Sequence, residues 1–136
     1  RSTKQINAAR EMLEYREAFF LVNVLDSVGP QRGRHVTNAL PGQSWHQWYE
    51  AVDAFWLLDG DAEWSIHKKD TKGVNGYKVW STVCTEMGLT SGREWDDWPH
   101  VQKRPESSPL ATISWAEVSS KMGGMYPYGD PEEMIK

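Results

Sequence analysis

The sequence predicts an α+β fold in which a small antiparallel sheet is packed with helices. Three observations point there. Apolar residues recur at three- and four-residue steps over residues 4–21 and again over 75–87, the helical period. Between them, Ala51-Val52-Asp53-Ala54-Phe55-Trp56-Leu57-Leu58 is a nearly continuous apolar run that reads as a largely buried strand. At 136 residues the chain can build one modest core, so a single domain over 1–136 and a monomer are expected. A charged share of 25% beside eight Trp and five Tyr is that of a globular chain. With a net charge of −4 and scattered Lys and Arg, it lacks the basic stripe of a nucleic-acid binder. No apolar run approaches the length of a membrane span, and no signal peptide is visible before the first amphipathic stretch.

The first helix is marked by Ile6, Ala9, Leu13 and Phe20, with Ser2 or Thr3 to cap it and Glu11, Glu14 and Glu17 as a solvated face. Val22-Asn23-Val24-Leu25 reads as a short strand, followed by a loop through Gly29-Pro30 and Arg32-Gly33-Arg34. Pro41-Gly42 marks a turn, and Asp59-Gly60-Asp61 ends the apolar run; the acids around it lack the remaining ligands of a calcium loop. A helix opens at Asn75 or Gly76 and runs to Met87 with Val79, Trp80, Val83, Cys84 and Met87 on one stripe, stopped by Gly88. Cys84 is the only cysteine, which excludes an intrachain disulfide and a thiolate metal site, and its apolar setting reads as core. Ser114 and Glu117 form a capping box for a short helix ending near Gly123-Gly124. Residues 119–136 are expected to form an irregular tail, most clearly from Met125 onward, where Pro127, Gly129 and Pro131 fall.

The chemistry-bearing residues are His46, Asp53 seven positions on, and a distant His100 preceded at three residues by Asp97. Two imidazoles and one carboxylate suit a zinc ion with a fourth position open for water. A further carboxylate beside the last ligand can take that water's proton. A carboxylate inside an apolar run would cost several kcal/mol if buried unpaired, and a bound cation removes that cost. From chemistry alone, Asp96 is nearly as good a base as Asp97. Pro99 fixes its own backbone and biases Trp98 to an extended form, which holds acid and ligand in fixed relation. Ser44 lacks the turn and the partners of a nucleophile and reads as a residue that orients a ligand or caps backbone. Trp45 and Trp48 read either as wall packing or as a platform for a sugar-peptide ligand. Gln102 would share a side with His100 in an extended chain and bind substrate or support the ligand. Arg32 and Arg34 are candidate carboxylate clamps or solvated loop residues. His35 and His67 read as loop histidines.

The pattern Ser44-x-His46-x(6)-Asp53 with Asp97-x-x-His100 resembles the zinc D-Ala-D-Ala carboxypeptidase and L-Ala-D-Glu endopeptidase superfamily. The stretch from Val36 to Trp48 and the Pro99-His100-Val101-Gln102 ending are most similar to its phage and prophage endolysin branch. The resemblance spans residues 34 to 118. It implies a Hedgehog/DD-peptidase-like fold, Zn2+ held by His46, Asp53 and His100, Asp97 as catalytic base, and Arg34, Ser44, Trp45 and Gln102 toward substrate. The implied substrate is the peptidoglycan stem peptide, cut at its L-Ala-D-Glu bond. The alternatives are D-Ala-D-Ala carboxypeptidase or dipeptidase activity, or an impaired, metal-holding cell-wall-binding protein. It also implies synthesis in the cytoplasm, passage through a holin-type pore and action in the periplasm or cell wall. In relatives a Gly and a Trp corresponding to Gly92 and Trp95 line the approach to the metal. Two departures stand out. Relatives carry glycine at the place of Tyr49, and a Tyr-Arg-Ser-like signature before Val36 that is absent here.

Overall fold

The computed structural model describes residues 1–33 and 37–126, which form a mixed α+β fold with four α-helices and a small antiparallel sheet. These residues divide into two compact units, one of residues 1–47 with 108 onward and one of Trp48–Ser107.

The first unit is helical. Helix α1 (Thr3–Tyr15) starts with Ser2 as N-cap, whose hydroxyl accepts from Gln5 N while the Gln5 side chain accepts from Ser2 N. The expected helix over 4–21 is interrupted. Glu17 takes a left-handed backbone (φ 58°) and the chain restarts as α2 (Phe19–Val28). The strand expected at Val22–Leu25 is therefore helix. Leu21, Val22 and Leu25 are buried at helical spacing, and packing against α1 outweighs the strand preference of two valines. Arg10 and Asp26 tie the two helices on the outside. Helix α4 (Trp115–Met125) carries the expected capping box of Ser114 and Glu117 and continues beyond Gly123-Gly124 to Met125, so residues 119–125 are helical rather than irregular. It buries Val118 and Met122 and packs on α2. Gly42 (φ 78°) makes this close. A Cβ there would lie 2.4 Å from Val118 Cγ1.

The second unit carries the sheet. Strands β1 (Ala51–Asp53), β4 (Thr90–Ser91) and β5 (His100–Gln102) pair antiparallel in the order β1-β5-β4. Strands β2 (Trp56–Leu58) and β3 (Asp61–Glu63) form a separate hairpin. Its two-residue turn, Asp59-Gly60, has positive φ at both positions, the residue pair and geometry that close a tight hairpin. The expected buried strand over 51–58 is thus two strands in two sheets. Ala54 N leaves the ladder to bond Pro99 O at 3.0 Å, and Val52, Phe55 and Leu57 are all more than half exposed. Helix α3 (Gly76–Glu86) is capped by the Asn75 side chain and followed by Gly88 at φ 81°. Its buried face is Tyr77, Ser81 and Cys84; Val79, Val83 and Met87, expected on the buried stripe, lie exposed. Burial pushes the Cys84 thiol pKa up. Ser81 accepts from Ser91 Oγ at 2.9 Å, so the sheet face bearing Ser91 and its partner Val101 is the one α3 covers. His100 and Gln102 occupy the opposite face, since neighbours along a strand alternate.

The β1–β5 pair is closed at one end by Glu50 and Arg104. The guanidinium holds the carboxylate through two bonds, Nη2 to Oε1 at 3.1 Å and Nε to Oε2, while Lys103 N donates to Glu50 O at 2.9 Å. Hydrogen bonding from Arg104 holds the Glu50 carboxyl below its ordinary pKa of 4.5. A carboxylate depressed in the folded state contributes stability that is complete above its unfolded pKa and lost as pH falls through the folded value. Urea midpoints measured across this range should therefore fall below pH 4.5 in the wild type, and Glu50→Gln should flatten that decline.

Candidate metal centre

His46 sits on a one-turn 3-10 helix, Trp45–Trp48, that runs through Tyr49 and Glu50 directly into β1. Ser44 shapes this turn. Its Oγ accepts from His46 N at 3.4 Å, and its own N–H donates to Gln47 Oε1 at 3.2 Å. Ser44 thus caps backbone beneath a candidate ligand, one of the two roles open from sequence. Asp53 is the last residue of β1 and His100 the first of β5, and the register sets them opposite one another. His100 Nδ1 stands 3.1 Å from Asp53 Oδ1.

His46, Asp53 and His100 each offer a donor atom, all within 4.8 Å of one another, so the cluster could hold a metal ion. The geometry fits such an ion. Two donors each about 2.0–2.1 Å from zinc at the tetrahedral angle stand roughly 3.3 Å apart; the Asp53–His100 separation of 3.1 Å is compatible with that and is equally that of a direct hydrogen bond. His46 and Asp53 are exposed and His100 is buried, so an ion would be anchored from below and reachable from solvent. The Asp53 side chain is 50% exposed, which corrects the expectation of a buried acid. The case for it as a ligand is its position opposite His100 and not the cost of burial.

His100 is flanked by acceptors on both sides. Its Nε2 lies 2.9 Å from Gln102 Oε1, opposite the nitrogen facing Asp53. Gln102 is only 2% exposed, and its amide nitrogen donates to Arg104 O at 2.6 Å and Glu106 O at 2.7 Å. A neutral imidazole has one N–H and donates to only one of the two oxygens; an imidazolium donates to both, and a metal ion at Nδ1 would take the place of one proton.

The chain enters β5 through a tight loop. After the 3-10 turn Gly92–Trp95, Asp96 adopts a left-handed conformation (φ 62°), Asp97 N donates to Gly92 O at 2.9 Å and His100 N donates to Asp97 O at 3.0 Å. Gly92 is needed for contact. A Cβ there would lie 2.3 Å from Asp97 O and 2.8 Å from His100 Cβ. Asp96 and Asp97 separate in role: the Asp96 carboxylate accepts from Trp98 Nε1 at 3.2 Å, while Asp97 is exposed on the turn that leads into His100. Trp95 stands beside the site, its ring 5.8 Å from that of His100 and tilted by 60°.

Trp45 and Gln102 each had two readings from sequence, and the structure places both inward. Trp45 is 8% exposed and belongs to the core, so the packing alternative describes it. Gln102 is turned inward onto His100. Arg34 and His35 lie outside the described residues. His67 is exposed, as expected for a loop histidine. What the sequence did not offer is the pair of carbonyls, of Arg104 and Glu106, that grip Gln102; every residue has a carbonyl, so no side-chain signal marks them. Tyr49 has φ 58° and is 79% exposed. The backbone there takes a left-handed form that glycine adopts freely, while the ring points to solvent.

No family model, curated protein or solved structure matches the chain. Among the described residues no helix is long and apolar enough to cross a membrane.

Two substitutions probe the frame. Gly92→Ala should cost about 1–3 kcal/mol in chemical denaturation, the range for overpacking, and weaken zinc uptake in a chelator competition because Asp97 and His100 must move. Tyr49→Gly should leave zinc affinity unchanged. By relieving the left-handed backbone, worth about 1–2 kcal/mol, against glycine's greater unfolded-state entropy, about 0.5–1 kcal/mol, it should raise the urea midpoint modestly.

Proposed function

We propose that the protein is a zinc-dependent peptidoglycan peptidase of the endolysin type, related to the D-Ala-D-Ala carboxypeptidase and L-Ala-D-Glu endopeptidase superfamily and sharing its Hedgehog/DD-peptidase-like fold. The observation that carries this reading is the convergence of His46, Asp53 and His100, with Asp97 on the turn immediately before the last of them. Zinc held by these three side chains would supply a Lewis acid for the scissile carbonyl and lower the pKa of a water.

The chain's own residues then have separable tasks. His100, buried and supported by Gln102, and Asp53, facing it across the β1–β5 pair, would hold the ion, with His46 as the third donor. Asp97 takes the proton of the attacking water and returns it to the leaving amine. The Asp97-x-x-His100 spacing of the resemblance is what assigns the role to Asp97 over Asp96. Trp95 and the Gly92 turn border the approach, the places the resemblance gives to a Trp and a Gly. The substrate in this reading is the stem peptide, cut between L-Ala and D-Glu. Tyr49 stands at the glycine position with its side chain in solvent, which favours a tolerated substitution over a blocked site.

Mass spectrometry of purified muropeptides incubated with zinc-loaded protein tests the proposal. Release of the stem peptide from its first alanine is expected. Loss of a terminal D-alanine would transfer the protein to the carboxypeptidase group, and zinc binding without cleavage would make it a binding protein. Asp97→Ala should retain zinc while cleavage falls about a hundred- to ten-thousand-fold, the usual contribution of a general base. His46→Ala and His100→Ala should instead lose the metal.

A further inference from the structure

We infer that Gln102 is a positioning residue for the metal centre: its amide, locked by two backbone carbonyls, fixes the tautomer of His100 so that the Nδ1 lone pair faces the Asp53 side. The inference rests on the zinc reading above. It starts from the Gln102 amide, whose two ends are normally interchangeable. Here they are not. The carbonyls of Arg104 and Glu106, at 2.6 and 2.7 Å, have no hydrogen to give, so only the NH2 end can face them. The oxygen end is therefore the one that meets His100 Nε2 at 2.9 Å, and that nitrogen must donate.

With the proton on Nε2, a neutral His100 presents a bare lone pair at Nδ1. That atom faces a carboxylate oxygen at 3.1 Å. A cation at Nδ1, either the proton of an imidazolium or a metal ion, turns this contact from repulsive to attractive, and the tautomer set by Gln102 leaves Nδ1 as the nitrogen that would meet the metal. The lock is stiff because it is buried: Gln102 is 2% exposed and His100 8%. Its holding carbonyls belong to the segment that Arg104 ties back to Glu50. Gln102 acts through His100 and need not touch substrate.

The test uses full-length protein with 15N-labelled histidine. In the zinc-loaded wild type, long-range proton–nitrogen correlation should show His100 coordinated through Nδ1 and protonated at Nε2, with a slowly exchanging Nε2 proton. Gln102→Met keeps the volume but removes the acceptor; it should abolish that slow exchange and lower zinc affinity about 10–100-fold in competition with a chromophoric chelator. Gln102→Glu, which sets an oxygen against the two carbonyls, should weaken zinc as well, with circular dichroism checking the fold of both. Coordination through Nε2 in the wild type would overturn the inference without any variant, as would wild-type affinity and tautomer in Gln102→Met. Failure of the wild type to bind zinc would overturn the metal reading and this inference with it; zinc bound independently of Gln102 would overturn this inference alone.

Discussion

The register between β1 and β5 is the constraint on which the site depends. Ala51, Val52 and Asp53 pair with Gln102, Val101 and His100 in that order. Because side chains alternate faces, a slip of one residue would send Asp53 and His100 to opposite sides of the sheet and break their 3.1 Å contact. Strands of three residues have few ladder bonds to resist such a slip, so the register is held from outside them. Glu50 with Arg104 and Lys103 closes one end, and Ala54 bonded to Pro99 O closes the other. Trp80 adds a second bond to that same carbonyl, from its indole at 3.2 Å, which ties α3 to the turn preceding His100.

That turn sets Asp97 three residues before His100 while giving Asp96 a structural task of its own. Asp96 absorbs the bend in a left-handed conformation that aspartate tolerates better than most residues. Its carboxylate is occupied by Trp98, and Pro99 restricts the backbone that follows. Gly92 lets the whole turn settle against the preceding segment. The motif Asp97-x-x-His100 therefore acquires its geometry from residues outside the motif.

These residues also explain how much was legible in advance. Helix α3 and the start of α4 were readable because their signals are local: Asn75 and Gly88 bracket one, and Ser114 with Glu117 opens the other. His46, Asp53 and His100 were singled out by residue chemistry and by the resemblance, and their donor atoms lie within 4.8 Å of one another. The run from Ala51 to Leu58 misled because its apolar residues are not all turned inward; hydrophobicity marks a strand but not which sheet it joins, nor where it leaves. Val22–Leu25 misled for the opposite reason, since its burial against α1 is a tertiary fact that local preference cannot anticipate. Gln102 was placed on the correct side of β5 by alternation, but its inward role depends on two carbonyls that no sequence pattern announces.

Tyr49 shows how a position can look wrong in sequence and be explained in space. Between the His46 turn and β1 the chain passes through a left-handed residue, Tyr49, at φ 58°. Glycine is the residue that meets this requirement without strain. Tyrosine pays in backbone strain but not in space, because its ring is directed to solvent. The requirement at residue 49 is therefore on φ and not on volume. A substitution that kept the left-handed backbone, asparagine as much as glycine, would preserve the entry into β1, whereas a β-branched residue would drive the backbone out of that conformation.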